Sequence, residues 1–179
     1  IIWMVIYYIY KDSINIQNNK DIMLNSKPNA PKNKDGKQRY KQGNYVPKNK
    51  DKVLKLNTEG GVYYRSSWEY KVYLWLDLNE NIKVWGAEVV TVPYTMEVTN
   101  EHGVLKSSDH RYFPDCYYEI LQEDGSTKKV LMEIKPYAET MEPKVPLKAT
   151  RKQLENFEYS INQYKRNLFK WDAALRYCE

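Results

Sequence analysis

The stretch RYFPDCYYEILQEDGSTKKVLMEIKP, residues 111–136, decides how this chain folds. Arg111 to Leu121 is rich in aromatic and β-branched residues and reads as a strand. Asp124-Gly125 supplies a hairpin turn. Lys129 to Lys135 returns antiparallel, and Pro136 ends it. Side chains two apart on a strand share a face, so Glu133 and Lys135 point the same way. The hairpin brings Asp115 back beside Glu133. Two carboxylates at close range repel and are costly to bury without a cation. Mg²⁺ resolves that cost, with Mn²⁺ as a substitute, because both take oxygen ligands. The backbone carbonyl of Ile134 offers a further oxygen. Lys135 is placed to position or deprotonate a water and to balance phosphate charge. A surface salt bridge on a hairpin has the same spacing.

Upstream, YRSSWEYKVYLWLDLN at 64–79 places Trp68, Val72, Trp75, Leu76 and Asn79 at helical spacing. Ser66 or Ser67 caps the helix, and Glu69 lies in its first turns. Glu69 is the candidate third carboxylate, completing the metal site or holding a second ion. Such a site suits hydrolysis of a phosphodiester, with Arg65, Lys135 and the metal offsetting transition-state charge. Ile82 to Trp85 and Glu88 to Val98 read as strands. Asn100 to Gly103 reads as a turn, and His102 and His110 flank a surface loop. Residues 137–147 hold two prolines and read as a loop. Ala149 to about Tyr164 predicts a helix, and Asn167 to Cys178 another or its continuation. Along them Leu154, Phe157, Ile161, Tyr164, Leu168, Trp171 and Leu175 recur every three or four residues, the pattern of a core-facing stripe. Cys116 is expected to be buried, facing away from Asp115.

The chain has 179 residues, 28 Lys and Arg, 23 Asp and Glu, two His and two Cys. That length supports a single sizeable core and excludes nothing by size. So few His and Cys exclude a zinc finger and a disulfide scaffold. No apolar run approaches the roughly 18 residues that cross a bilayer. Charge is uneven. Residues 26–52 hold nine basic and two acidic residues, 53–143 nine and fifteen, and 144–179 eight and four. An acidic middle between basic ends fits metal-dependent work on nucleic acid; a solvated face with a solubilising tail is the plainer explanation. Residues 1–52 divide from a body at 53–179. The first ten, IIWMVIYYIY, read as an edge strand, a packing arm, or residues upstream of a start at Met23. Residues 25–52, poor in aliphatics, read as a basic extended arm. Tyr40 and Tyr45 within it suit stacking on bases or packing on the body. Lys37, Arg39 and Lys41 in the arm are candidates for DNA phosphates. Lys148, Arg151, Lys152, Lys165, Arg166 and Lys170 are candidates near the C-terminus.

Taken together, Glu69, Pro114-Asp115 and Glu133-x-Lys135 resemble the motif of the PD-(D/E)XK nucleases. YRSSWE at 64–69, LDLN at 76–79, WG at 85–86, RYFPD at 111–115, EIKP at 133–136 and KWDAA at 170–174 more closely resemble the head-completion nuclease family of tailed bacteriophages. They are also similar to the endonuclease subunits of some transposases. The resemblance covers roughly residues 60–178. It implies an α/β, restriction-endonuclease-like core with a central mixed sheet flanked by helices. It implies Mg²⁺-dependent endonuclease hydrolysis of double-stranded DNA, leaving 5′-phosphate and 3′-hydroxyl ends. It assigns Glu69 as the first-helix acid, Asp115 and Glu133 as metal ligands, Lys135 as the catalytic lysine, and Arg65 to phosphate or to orienting Glu69. It further implies work on phage heads after packaging, with head, portal or neck proteins as partners, no membrane, and a place in the host cytoplasm or in the finished virion. Two other functions fit the residues: a non-enzymatic DNA-binding virion or head-closure protein, and a repair or recombination nuclease.

Overall fold

The computed structural model describes the backbone of residues 2–9 and the chain from 42 to 99 and from 104 to 179. Lys37, Arg39, Lys41, Tyr40 and His102 lie outside the described residues. The first element is strand β1, Ile2–Ile9. Strand β2, Gly43–Tyr45, pairs antiparallel with β3, Val62–Tyr64. Helix α1 spans Ser67–Leu78. Four strands follow: β4 Ile82–Ala87, β5 Val92–Thr99, β6 Leu105–Tyr112 and β7 Cys116–Leu121. Strand β8 runs from Thr127 to Pro136, followed by the one-turn helix α2, Tyr137–Thr140, and the long helix α3, Arg151–Cys178.

The central sheet has the order β1-β8-β7-β4 and is mixed. β8 pairs antiparallel with β7, with Cys116 opposite Met132, and β7 pairs antiparallel with β4. β1 lies on the other side of β8 and runs parallel to it, from Ile2 opposite Lys129 to Ile9 opposite Pro136. The apolar start of the chain is thus an edge strand, one of the expected options.

Strand periodicity gives β8 two faces. Val130, Met132 and Ile134 join α1 residues Val72, Tyr73 and Leu76, with Trp85 and Cys116, in one buried cluster. On the other face Leu131 joins Val92, Tyr94, Tyr112 and the α3 residues Ala173, Ala174 and Cys178. The result is three layers: α1, the sheet, and α3 with the β5–β6 ribbon. Gly86 is needed where β4 passes under its neighbours, since a Cβ there would lie 2.7 Å from Val89 Cγ1.

Several expectations change. Arg111–Leu121 is two strands rather than one, broken at Phe113-Pro114-Asp115 because proline cannot donate to a ladder. The segment expected as a surface loop before His110 is most of β6, whose side chains up to Arg111 are exposed. It pairs with β5 as a ribbon, so its strand character lies in backbone hydrogen bonds and leaves no apolar alternation to read. Residues 137–147 include the turn of helix α2. The C-terminal segment is one continuous helix of 28 residues, the continuation that was one of the two expected options. Its apolar stripe is not core. Leu154, Leu168 and Leu175 are exposed, and Phe157, Ile161 and Tyr164 belong to neither buried cluster. Only Trp171 of the seven is buried, because Ala173, Ala174 and Cys178 carry the inward face.

The expected arm also divides. Residues 42–52 pack on the body, anchored by Asp77, which is fully buried in α1. Its carboxylate accepts hydrogen bonds from Tyr45 Oη (2.7 Å), Lys48 N (2.7 Å) and Asn49 N (2.9 Å). Tyr45 therefore packs on the body. Cys116 and Cys178 are both buried free thiols. Among the described residues no helix is long and apolar enough to cross a membrane.

Candidate functional site

The register of β7 and β8 places Asp115, one residue before β7, beside the end of β8. Asp115 Oδ2 accepts a hydrogen bond from Ile134 N at 2.6 Å. That bond fixes the carboxylate across the strand end, as the hairpin reading expects. A strand residue turns its N–H and C=O to the same side, so the Ile134 carbonyl opens toward the Asp115 side too. Here β7 has ended and no ladder partner takes that oxygen from β7.

Glu133 is 3% exposed, an uncommon depth for a carboxylate. One oxygen, Oε2, accepts from Tyr112 Oη at 2.7 Å, and the other, Oε1, lies 3.1 Å from Lys135 Nζ. Burial and then the charge of Glu133 push the half-buried Asp115 carboxyl up to about 7. Asp115 is thus ready to give up a proton when a cation arrives. Burial acts to lower Lys135, but Glu133 and Asp115 outweigh it and hold its pKa above the ordinary lysine value. Lys135 is therefore an ammonium at neutral pH.

Lys170 of α3 belongs to the same place. Burial lowers its pKa, with the fields of Glu133, Lys135 and Asp115 acting on it as well. Its Nζ sits 5.6 Å from the centre of the Tyr112 ring, within the range of a cation–π contact. Tyr112 thus links Glu133 to Lys170. Burial first and Glu133 second push the Tyr112 phenol far up, so it remains a donor. Tyr112 is absent from the candidates drawn from sequence. Its only signal there is that a buried tyrosine needs a partner for its hydroxyl.

Glu69 stands at the start of α1 across a cleft of about 370 Å³ lined by Ser66, Glu69, Ile134, Lys135 and Glu139 among others. Its carboxylate is engaged at home. Oε2 accepts from Arg65 N (2.8 Å), Oε1 accepts from Ser66 Oγ (2.9 Å), and Ser66 Oγ accepts from Glu69 N (3.1 Å). This is a helix-capping arrangement centred on Ser66. The Arg65 guanidinium pairs with Glu88, which raises its pKa. Glu88 takes a positive φ of 50° just after β4, and its N–H donates to Asp115 O at 3.2 Å. Among the described residues no three acidic, His or Cys side chains converge closely enough to hold a metal ion. The structure brings Asp115, Glu133, Ile134, Lys135 and Lys170 together and leaves Glu69 and Arg65 on the far lip of the cleft.

The donors present are hard: two carboxylates and a backbone carbonyl. Cys116 is no competitor, since burial pushes its thiol far above the usual range and it packs on the α1 side. The set fits Mg²⁺ or Mn²⁺ and does not suit a soft metal. Of the remaining candidates, Lys148, Arg151, Lys152, Lys165 and Arg166 are all exposed along the approach to α3 and on it. Arg151 is paired with Glu155 one turn on. His110 stacks on Tyr94 in the β5–β6 ribbon.

Comparison with known proteins gives the chain relatives. Residues 79–179 match the family model described as TnsA-like endonuclease N terminal. Over 137 residues the chain is 34% identical to the head completion nuclease of Enterobacteria phage T4, covering 76% of this chain and 83% of that one. No solved structure matches significantly.

Proposed function

The chain belongs to the TnsA-like endonuclease family and is a nuclease by that membership, and from this premise we propose that it is a Mg²⁺-dependent DNA endonuclease acting at Asp115, Glu133 and Lys135. The observation that carries the reading is the half-buried Asp115 beside the buried Glu133, with Lys135 3.1 Å from Glu133. Asp115, Glu133 and the Ile134 carbonyl would hold the ion, with Glu69 completing the site from across the cleft. Bound there, Mg²⁺ supplies Lewis acidity toward the phosphoryl oxygens and neutralises part of their charge.

The chain's own residues do the rest. Tyr112 fixes Glu133 by its hydroxyl. Lys135, as an ammonium, holds a phosphate oxygen or the attacking water in line. Lys170 adds a second cation on the α3 side, and Arg65 can exchange Glu88 for a phosphate. The water oxygen forms the new bond to phosphorus, the bond to the 3′ oxygen breaks, and that oxygen takes up a proton. The products are a 5′-phosphate and a 3′-hydroxyl. Exposed Lys148, Arg151, Lys152, Lys165 and Arg166, with Lys37, Arg39 and Lys41, would grip duplex phosphates. The setting we propose is completion of a packaged phage head in the host cytoplasm or on the virion, with head, portal or neck proteins as partners.

One observation favours the alternative of a DNA-gripping head-closure protein without cleavage: both oxygens of Glu69 are occupied by its own helix cap. Plasmid cleavage separates the two. Lys135→Ala is expected to keep the circular-dichroism spectrum and lose about 10²-fold or more of Mg²⁺-dependent nicking. Equal cleavage by wild type, Lys135→Ala and the Asp115→Asn/Glu133→Gln double variant would remove the site assignment.

A further inference from the structure

The exposed stripe of α3 has a spacing that a merely solvated helix face does not need. Leu154, Phe157, Ile161, Tyr164, Leu168, Trp171 and Leu175 alternate intervals of three and four, an unbroken heptad seam. It runs along one helix for roughly 33 Å at 1.5 Å per residue. Leu154 and Leu168 are each 44% exposed and Leu175 54%. Among the described residues Trp171 is the one seam residue that is buried, and Phe157, Ile161 and Tyr164 are half-buried, as expected when a seven-residue repeat drifts about 20° per heptad around an ideal helix.

The flanks of the seam choose the occupant. One flank carries Arg151, Glu158, Lys165 and Asp172, in strictly alternating sign. The other carries Gln153, Ser160, Asn167 and Ala174, with no charge. A parallel pair would set the charged flank against the neutral one and gain no selection. An antiparallel pair sets each flank against its own copy, because the two-fold axis then lies across the helices. In the register that opposes Ile161 with Tyr164 and Phe157 with Leu168, Arg151 faces Asp172 of the second copy and Glu158 faces Lys165. By symmetry all four flank residues meet opposite charge. Sliding one heptad in one direction opposes Arg151 with Lys165 and Glu158 with itself. Sliding the other way opposes Lys165 with itself and Glu158 with Asp172. Both alternatives put like charges together.

We propose that α3 is a self-association helix: two copies of this chain join through an antiparallel two-stranded coiled coil along Leu154–Leu168, in the register set by Arg151, Glu158, Lys165 and Asp172. The surface is independent of the metal-site chemistry; where it forms, Arg151 and Lys165 pair across it and the other cations are left to grip the duplex. A closed two-fold pair would carry two copies of the cleft, one for each strand of a duplex.

The test is sedimentation equilibrium of the full chain in low salt, with the charge-swap variants. Glu158, Lys165 and Ile161 make no contact with Asp115, Glu133 or Lys135. Wild type is expected to be dimeric at micromolar concentration. Glu158→Lys and Lys165→Glu should each weaken the dimer about tenfold or more, since each replaces two attractions by two repulsions. The Glu158→Lys/Lys165→Glu double variant should recover wild-type association, which loss of folding or of general solubility cannot mimic. Ile161→Asp should be monomeric with an unchanged circular-dichroism spectrum. A wild type that stays monomeric to about 100 μM, as it would if residues 10–41 or another protein covered the seam, overturns the proposal. So does a double variant no tighter than the single ones.

Discussion

Asp115 ties acid strength to metal affinity and to stability. Its carboxyl, raised to about 7 by burial and by Glu133, keeps a proton that the unfolded chain releases near pH 4. Between those values the folded state binds more protons, so its contribution to stability falls as pH rises, and the cost is fully present above about 7. In EDTA, Asp115→Asn is therefore expected to gain stability over wild type at pH 8, on the order of 1 kcal/mol after the altered bond to Ile134 N. Near pH 4 the gain should vanish. A thermal-unfolding difference equal at both pH values would contradict this. Mn²⁺ must displace the same proton. Its affinity by calorimetric titration should fall about tenfold per pH unit below about 7 and level off above. The sequence carried this pair: Pro-Asp, a turn and Glu-x-Lys suffice to bring Asp115 to Glu133. It did not carry Tyr112 or Lys170, whose roles depend on burial and on α3 crossing back over β8. Nor did it reveal that Glu69 caps its own helix, although Ser-x-x-Glu at 66–69 is a capping signal in its own right.

Among the elements, α1 and the β7–β8 hairpin were legible because each has one buried face and a clear period. β6 was not, since its side chains up to Arg111 are exposed on both faces and leave no apolar alternation. α3 misleads for the opposite reason: its strongest apolar period faces outward, while small residues, Ala173, Ala174 and Cys178, do the burying. The 42–52 strap was hidden by its composition, and its order depends on partners farther along the chain: β3 and the buried Asp77. Burial alone would raise Asp77, yet hydrogen bonds from Tyr45, Lys48 and Asn49 hold it below its ordinary value. Asp77→Ala strands a buried phenol and two backbone N–H groups. It should cost about 2–4 kcal/mol in urea unfolding at neutral pH. A loss under about 0.5 kcal/mol would mean that solvent or neighbours satisfy those donors and that the strap is held by packing.

Across the whole molecule the catalytic candidates collect where three layers meet: the start of α1, the end of β8 and the second half of α3. The basic residues at 27–41 precede the strap in sequence, so a test of their contribution must spare residues 42–52. Changing Lys37, Arg39 and Lys41 together to glutamine should weaken duplex binding and flatten the slope of log K against log salt by up to about 0.9 for each phosphate no longer neutralised. Cleavage from the bound complex should be unchanged. An identical slope would give that segment another partner. Which strand would cover β8 was beyond reading, because parallel pairing over such separation leaves no local trace. That pairing also sets a clock. Ile2 waits for Lys129, and Ile9 for Pro136, before either strand has its neighbour. At about 5–20 residues per second of synthesis, the apolar opening of the chain spends roughly 6–25 s without the strand it belongs to. Through that interval the bond between Asp115 and Ile134 has no second half. A ribosome-bound chain is therefore unarmed until the strand that closes its sheet has also completed its chemistry.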